Sequence, residues 1–83
     1  MNKAKASRSF QNDLSPPIPL ITTRERQTLI LISQEYTNNE IAQLMFISHE
    51  TVKTYRCNLL AKLNCRNTAG LVMKGIQAGI IKF

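Results

Sequence analysis

The sequence contains no tryptophan, one aspartate, one histidine, two cysteines and three glycines in 83 residues. Each shortage excludes a class of function. Cys57 and Cys65 are too few and wrongly spaced for a disulfide framework or a zinc site, which points to a reducing, cytoplasmic setting. His49 has no acidic neighbour apart from Glu50, so no catalytic dyad is on offer. Gly70, Gly75 and Gly79 fit no phosphate-binding loop; Gly75, with Ala69, reads better as a point of close helix approach, within the chain or across a dimer. The longest apolar runs, Leu29 to Ile32 and Leu44 to Ile47, are four residues each, far short of the roughly 20 needed to span a bilayer. Lys3, Lys5 and Arg8 are followed by no apolar core, so the N-terminus does not read as a signal peptide. The length suits one domain, since domains typically run to about 100–150 residues, and excludes a multidomain enzyme or a dinucleotide-binding fold. No catalytic, metal or cofactor constellation is visible, and the chain reads as a non-enzyme.

Acid is also missing from half the chain. Eleven Lys and Arg stand against five acids, for a net charge of +6. Asp13, Glu25, Glu35, Glu40 and Glu50 all lie at or before residue 50, whereas Thr51 to Phe83 carries six basic residues and no acid. This imbalance points to a polyanion, nucleic acid before membrane, bound with salt-sensitive affinity.

Residues 1–19 are polar and end in Pro16, Pro17 and Pro19, which reads as a flexible tail or interdomain linker. Residues 20–83 read as one all-α domain of four short helices. Thr22 to Glu25 is a capping box opening a helix over about 23–34, with Thr28, Leu29 and Ile32 facing inward. Thr37 to Glu40 is a second capping box, and Ile41, Ala42 and Met45 mark one face of a helix of about eight residues. After a break of about three residues, Ser48 caps a third helix over about 49–63, with Asn64 closing it in the left-handed conformation. Asn67 caps a fourth helix that ends at Gly79. A short helix, a tight break and a longer helix form the helix-turn-helix pattern.

The third helix has two faces. Val52, Tyr55, Leu59 and Leu63 point inward, while Glu50, Lys53, Thr54, Cys57 and Ala61 form one outward stripe. In a major groove, Lys53 is suited to guanine O6 and N7, Glu50 to cytosine N4, and Thr54 and Cys57 to a thymine methyl or a base edge. Arg56, Lys62 and Arg66 fall to the sides, where phosphates would lie, and Thr51 and Asn58 add neutral phosphate donors. Val72, Met73 and Ile76 offer apolar surface for a core or for a dimer contact.

Residues 21–83 closely resemble the LuxR-type helix-turn-helix domain, the output domain of NarL/FixJ-type response regulators. The motifs that carry the resemblance are I-T-T-R-E at 21–25, T-N-N-E-I-A at 37–42, I-S-H-E-T-V-K-T-Y at 47–55, N-L-L-A-K-L-N at 58–64, N-T-A-G-L-V at 67–72 and G-I-I at 79–81. The resemblance implies a four-helix domain that binds double-stranded DNA as a dimer, with its third helix in the major groove and its fourth commonly at the dimer contact. On matching positions it implies base reading by Lys53, Thr54 and Cys57, a backbone contact by Thr51, and a structural role for Arg24 and Glu25. It also places Ile41, Ala42, Val52, Leu59 and Leu63 in the core. Four positions depart from the family's pattern. Glu35 stands where glycine is usual, and Tyr55 replaces a common histidine and could set its hydroxyl near a phosphate. Thr68 replaces a frequent arginine, and Cys57 stands where some relatives have a long basic side chain, which softens base discrimination there.

A receiver domain needs an acidic metal-binding cluster, and the sole aspartate here is Asp13. The chain therefore reads either as an output domain separated from its receiver, with residues 1–19 as linker, or as a free-standing regulator of the same family. Sequence-specific DNA binding for transcription control is the expected function. The competing reading is a protein-interaction module that docks on a sigma factor, an RNA polymerase subunit or a receiver domain.

Overall fold

A computed structural model describes residues 20–82; the tail expected over 1–19 lies outside the described residues. The described chain is all α: α1 spans Thr23–Ser33, α2 Asn38–Met45, α3 His49–Lys62 and α4 Thr68–Gln77. These bounds match the sequence reading to within a residue at α1 and α3. Gln34 and Leu63, expected inside their helices, serve instead as C-caps.

All four helices open in the same way. The side chains of Thr22, Thr37, Ser48 and Asn67 each accept a hydrogen bond from the backbone N–H three residues on. This satisfies one of the donors that a helix start leaves free. At Thr22 and Thr37 the glutamate three residues later reaches back to the cap N–H, which completes both expected capping boxes.

They also close alike. Glu35, Phe46, Asn64 and Gly79 have φ of 71°, 57°, 57° and 77°. After each, the next N–H bonds back into the last helical turn: Tyr36 to Leu31, Ile47 to Ala42, Cys65 to Leu60 and Ile80 to Gly75. This is the left-handed closure that favours glycine, yet only the last of these positions has one. The missing glycine at Glu35 is thus accommodated by a side chain held in the left-handed region.

The core gathers residues from all four helices and the C-terminal turn: Leu29, Ile32, Ile41, Ala42, Met45, Val52, Leu59, Leu63, Leu71, Ile80 and Ile81 are buried. Gly79 turns the chain so that Ile80 and Ile81 fold back under α4 and α1. A Cβ on Gly75 would sit 2.6 Å from Ile81 Cδ1 and 3.1 Å from Leu29 Cδ2. The close approach expected at this glycine is therefore made within one chain. Thr28 is fully buried; its hydroxyl donates to Arg24 O at 2.9 Å, which makes a hydroxyl tolerable in the core.

Two polar links orient α3 and α2 on α1. Glu25 is 3 % exposed, and its Oε1 accepts from Lys62 Nζ at 2.7 Å and from Thr22 N at 3.0 Å. Arg24 donates through Nη2 to Met45 O at 2.8 Å, closing the C-terminus of α2. The pair that the resemblance marked as structural thus works in two directions, one residue toward α3 and one toward α2.

Burial pushes the Glu25 carboxyl upward, but hydrogen bonds from Lys62 and Thr22 and the charge of Lys62 outweigh it, so its pKa lies below the ordinary 4.5. A carboxylate depressed on folding adds stability above its ordinary value, and that stability is lost as pH falls through the folded value. Lys62→Met should leave the carboxylate buried without its cation and cost about 1–3 kcal/mol near neutrality. Glu25→Gln should flatten the acid side of the stability profile. Denaturant melts between neutral and acid pH check both. Glu35→Gly should raise stability by about 1 kcal/mol, because it removes a left-handed side chain that is exposed.

Candidate nucleic-acid interface

Ser48 fixes the start of α3 against the end of α2, and Val52, Leu59 and Leu63 bury its inner side. What remains outside is set by helical rotation. Glu50, Lys53, Thr54, Cys57 and Ala61 are all exposed, so the expected outward stripe is present as one continuous face. Among the described residues no three His, Cys, Asp or Glu side chains group as metal ligands. No helix there is long and apolar enough to cross a membrane.

The chemistry of the stripe differs in detail from its bare composition. Lys53 Nζ lies 3.8 Å from Glu50 Oε1, and His49 Nδ1 lies 3.9 Å from Glu50 Oε2. These are exposed contacts of little strength, so Lys53 can exchange Glu50 for a stronger acceptor. Thr54 Oγ1 donates to Glu50 O at 3.1 Å. Its proton is engaged by its own helix, which leaves a methyl group and oxygen lone pairs to face outward. Cys57 is a free, exposed thiol in the middle of the face. The stripe therefore offers one mobile cation, one carboxylate and two small, weakly polar groups.

The flanking residues divide. Asn58 and Arg66 are exposed. Thr51 is half-buried, and its hydroxyl shares a 2.8 Å hydrogen bond with that of Ser48. Tyr55 is half-buried against the core. Arg56 donates from Nη2 to Thr68 Oγ1 at 2.5 Å, linking α3 to the first residue of α4. Lys62, which the sequence sets among the phosphate-facing cations, has its ammonium held by the buried Glu25, so it also serves within the fold. Sequence reasoning missed both this pairing and the one between Arg56 and Thr68. No local spacing signals either, since the partners are 37 and 12 residues apart.

The residues expected at a dimer contact are also divided. Met73 is 56 % exposed, whereas Val72 and Ile76 are half-buried against the chain's own core. On another face, Ile30, Leu31, Tyr36 and Leu44 line an open apolar hollow of about 390 Å³ between α1 and α2. Phe46, in the turn between α2 and α3, is 94 % exposed.

Residues 19–74 match the profile of the luxR family of bacterial regulatory proteins. The response regulator protein VraR of Staphylococcus aureus is 36% identical over 63 residues, which cover 76% of this chain and 30% of VraR. Among solved structures, the Vibrio cholera VqmA–ligand–DNA complex aligns with a TM-score of 0.70 and 30% identity over 81% of this chain and 29% of VqmA. The transcription factor GerE aligns with a TM-score of 0.71 over 74% of this chain and 91% of GerE; at 24% identity it is similar in fold. The chain spans about a third of the length of the curated relatives it matches.

The exposure of the two thiols yields a direct check of the interface geometry. In the folded protein an alkylating reagent should modify Cys57 well ahead of the half-buried Cys65, which also contacts Leu63 O. Peptide mass mapping in buffer and in denaturant measures this; equal rates in buffer would contradict the placement of α3.

Proposed function

This chain belongs to the luxR family of bacterial regulatory proteins, and from that premise we propose that it reads specific base pairs through the outward stripe of α3, laid in a DNA major groove. The family's helix-turn-helix domain is a DNA-binding domain of transcriptional regulators and is not an enzyme. The observation that carries the finer reading is the shape of α3. One side packs against the core, while the other presents Lys53, Thr54 and Cys57 exposed next to one another.

In this reading Lys53 leaves Glu50 for guanine O6 and N7, Glu50 is freed to accept from cytosine N4, and the Thr54 methyl and the Cys57 thiol meet a thymine methyl. Thr51, Tyr55, Arg56, Asn58 and Arg66 meet the backbone on the two sides of the helix. Lys62 contributes its charge to the local potential while bound to Glu25. The basic residues beyond residue 50 that meet phosphates, Arg56 and Arg66, add counterion release. Two copies meet through α4, with Met73 at the centre and the outer edges of Val72 and Ile76 around it. They sit on half-sites about 10 base pairs apart. Residues 1–19 serve as a tail or as a linker to a receiver domain, and 20–83 as the binding domain. The setting is the cytoplasm.

A protein partner, such as RNA polymerase or a receiver domain, is the second reading. The exposed hollow beside Tyr36 and Leu44 favours it. That hollow lies on α1 and α2 and leaves the α3 stripe free, so both readings can hold in one molecule.

Selection from a randomised duplex pool, followed by sequencing, tests the proposal. It should enrich a two-half-site motif. On that duplex Lys53→Ala should relax preference at one base pair per half-site, by about 1–3 kcal/mol, and Arg66→Ala should weaken all sequences alike while lowering the salt slope by about 0.9 per phosphate. Salt-sensitive binding with no enriched sequence would contradict base reading by this face.

A further inference from the structure

Three cations lie on α3, and two of them have carboxylate partners: Lys53 has Glu50 and Lys62 has Glu25. Arg56 is the third, and among the described residues it has none. Its one hydrogen bond there is to the Thr68 hydroxyl. A guanidinium carries five N–H donors in a fixed planar fork, so four remain available while one is held.

Thr68 has no other task that would explain its hydroxyl. It is the first residue of α4, but the cap of that helix is Asn67, whose Oδ1 accepts from Gly70 N at 3.0 Å. Thr68 itself is exposed, and the Arg56 contact is its one side-chain hydrogen bond among the described residues. The link therefore spans two helices without being needed by either.

Its position decides what it can do. Successive residues on a helix turn by about 100°. Arg56 thus falls between the buried Val52–Leu59 side and the exposed stripe, on the flank nearest α4, whereas Thr51 and Asn58 fall on the opposite flank. A helix lying in a groove has a phosphate backbone on each flank. Arg56 is the charged group of α3 for the backbone on the α4 side.

We propose that Thr68 is a positioning residue for DNA binding: its hydroxyl holds the Arg56 guanidinium at the α3–α4 corner, with its free donors turned to a phosphate. This rests on the reading of α3 as the groove helix. A free arginine must be immobilised when it binds, and a hydrogen bond made beforehand removes part of that entropy loss. The link also ties phosphate contact to the placement of α4. Arginine is suited to the role because its planar fork bonds the hydroxyl and a phosphate oxygen at once, which a lysine ammonium does with far less directional control.

A double-mutant cycle on the full chain tests this. The dissociation constant for one short duplex of fixed sequence is measured over a range of salt concentrations, with thermal melts of each variant. Thr68→Val keeps the shape and branching of the side chain and removes the acceptor. It should weaken binding roughly three- to tenfold with the melt unchanged, and Thr68→Ser should restore wild-type affinity. Arg56→Gln should weaken binding and lower the salt slope by about 0.9, the loss of one phosphate contact. In the Arg56→Gln background, Thr68→Val should have no further effect. Wild-type affinity in Thr68→Val, or an equal loss in both backgrounds, would overturn the inference while leaving the groove reading intact. A wild-type chain that binds no duplex would overturn both.

Discussion

The orientation of α3 is the constraint on which the rest of the molecule depends, and an ion pair to a buried carboxylate sets it at the C-terminal end. Lys62 in the last turn of α3 reaches Glu25 in the first turn of α1, where the carboxylate also accepts from the Thr22 N–H. Apolar packing fixes which side of α3 is inward, but it is non-directional and tolerates sliding along the axis. A charge-assisted hydrogen bond at 2.7 Å is short and directional. At the other end Ser48 caps α3 directly after the left-handed turn at Phe46. With both ends held, the exposed stripe has one fixed direction relative to the body of the domain. Removing Lys62 is harmful because the Glu25 carboxylate is left buried and charged.

Stability in so small a domain rests on helix termini as much as on core volume. Eleven buried apolar residues form the core, while every helix has both a side-chain cap at its start and a left-handed closure at its end. These local devices keep the connections short. Short connections let α2 brace α3, and they let Gly79 turn Ile80 and Ile81 back into the core. The price is three non-glycine residues in the left-handed region, of which Phe46 is also almost wholly exposed.

Most of the fold was legible in the sequence because its signals are local. Thr22 with Glu25, and Thr37 with Glu40, announce helix starts at three-residue spacing. Asn64, Asn67 and Gly79 mark ends and starts within one turn. The division of α3 into a buried and an exposed side followed from its period alone, and the structure has the same division. What was not legible depends on distant partners. Lys62 reads as a phosphate-facing cation because its charge and wheel position are all that the sequence displays; its partner is 37 residues away. The Arg56–Thr68 link crosses a loop and has no spacing signature. Similarly, Val72 and Ile76 read as apolar surface for a core or for a dimer contact, and only the packing of distant residues determines how much of each remains exposed. Family resemblance marked Arg24 and Glu25 as structural but not whom they would meet. The geometry adds Met45 O for one and Lys62 for the other.

The outward face of α3 is the surface proposed to meet DNA. Backbone amide shift mapping on the labelled chain, titrated with a short duplex, tests it most directly. The largest perturbations should fall between residues 48 and 61 and at the start of α4 around Thr68, with the α1–α2 hollow at Ile30, Tyr36 and Leu44 unmoved. Perturbations concentrated at that hollow, with the α3 stripe silent, would contradict it.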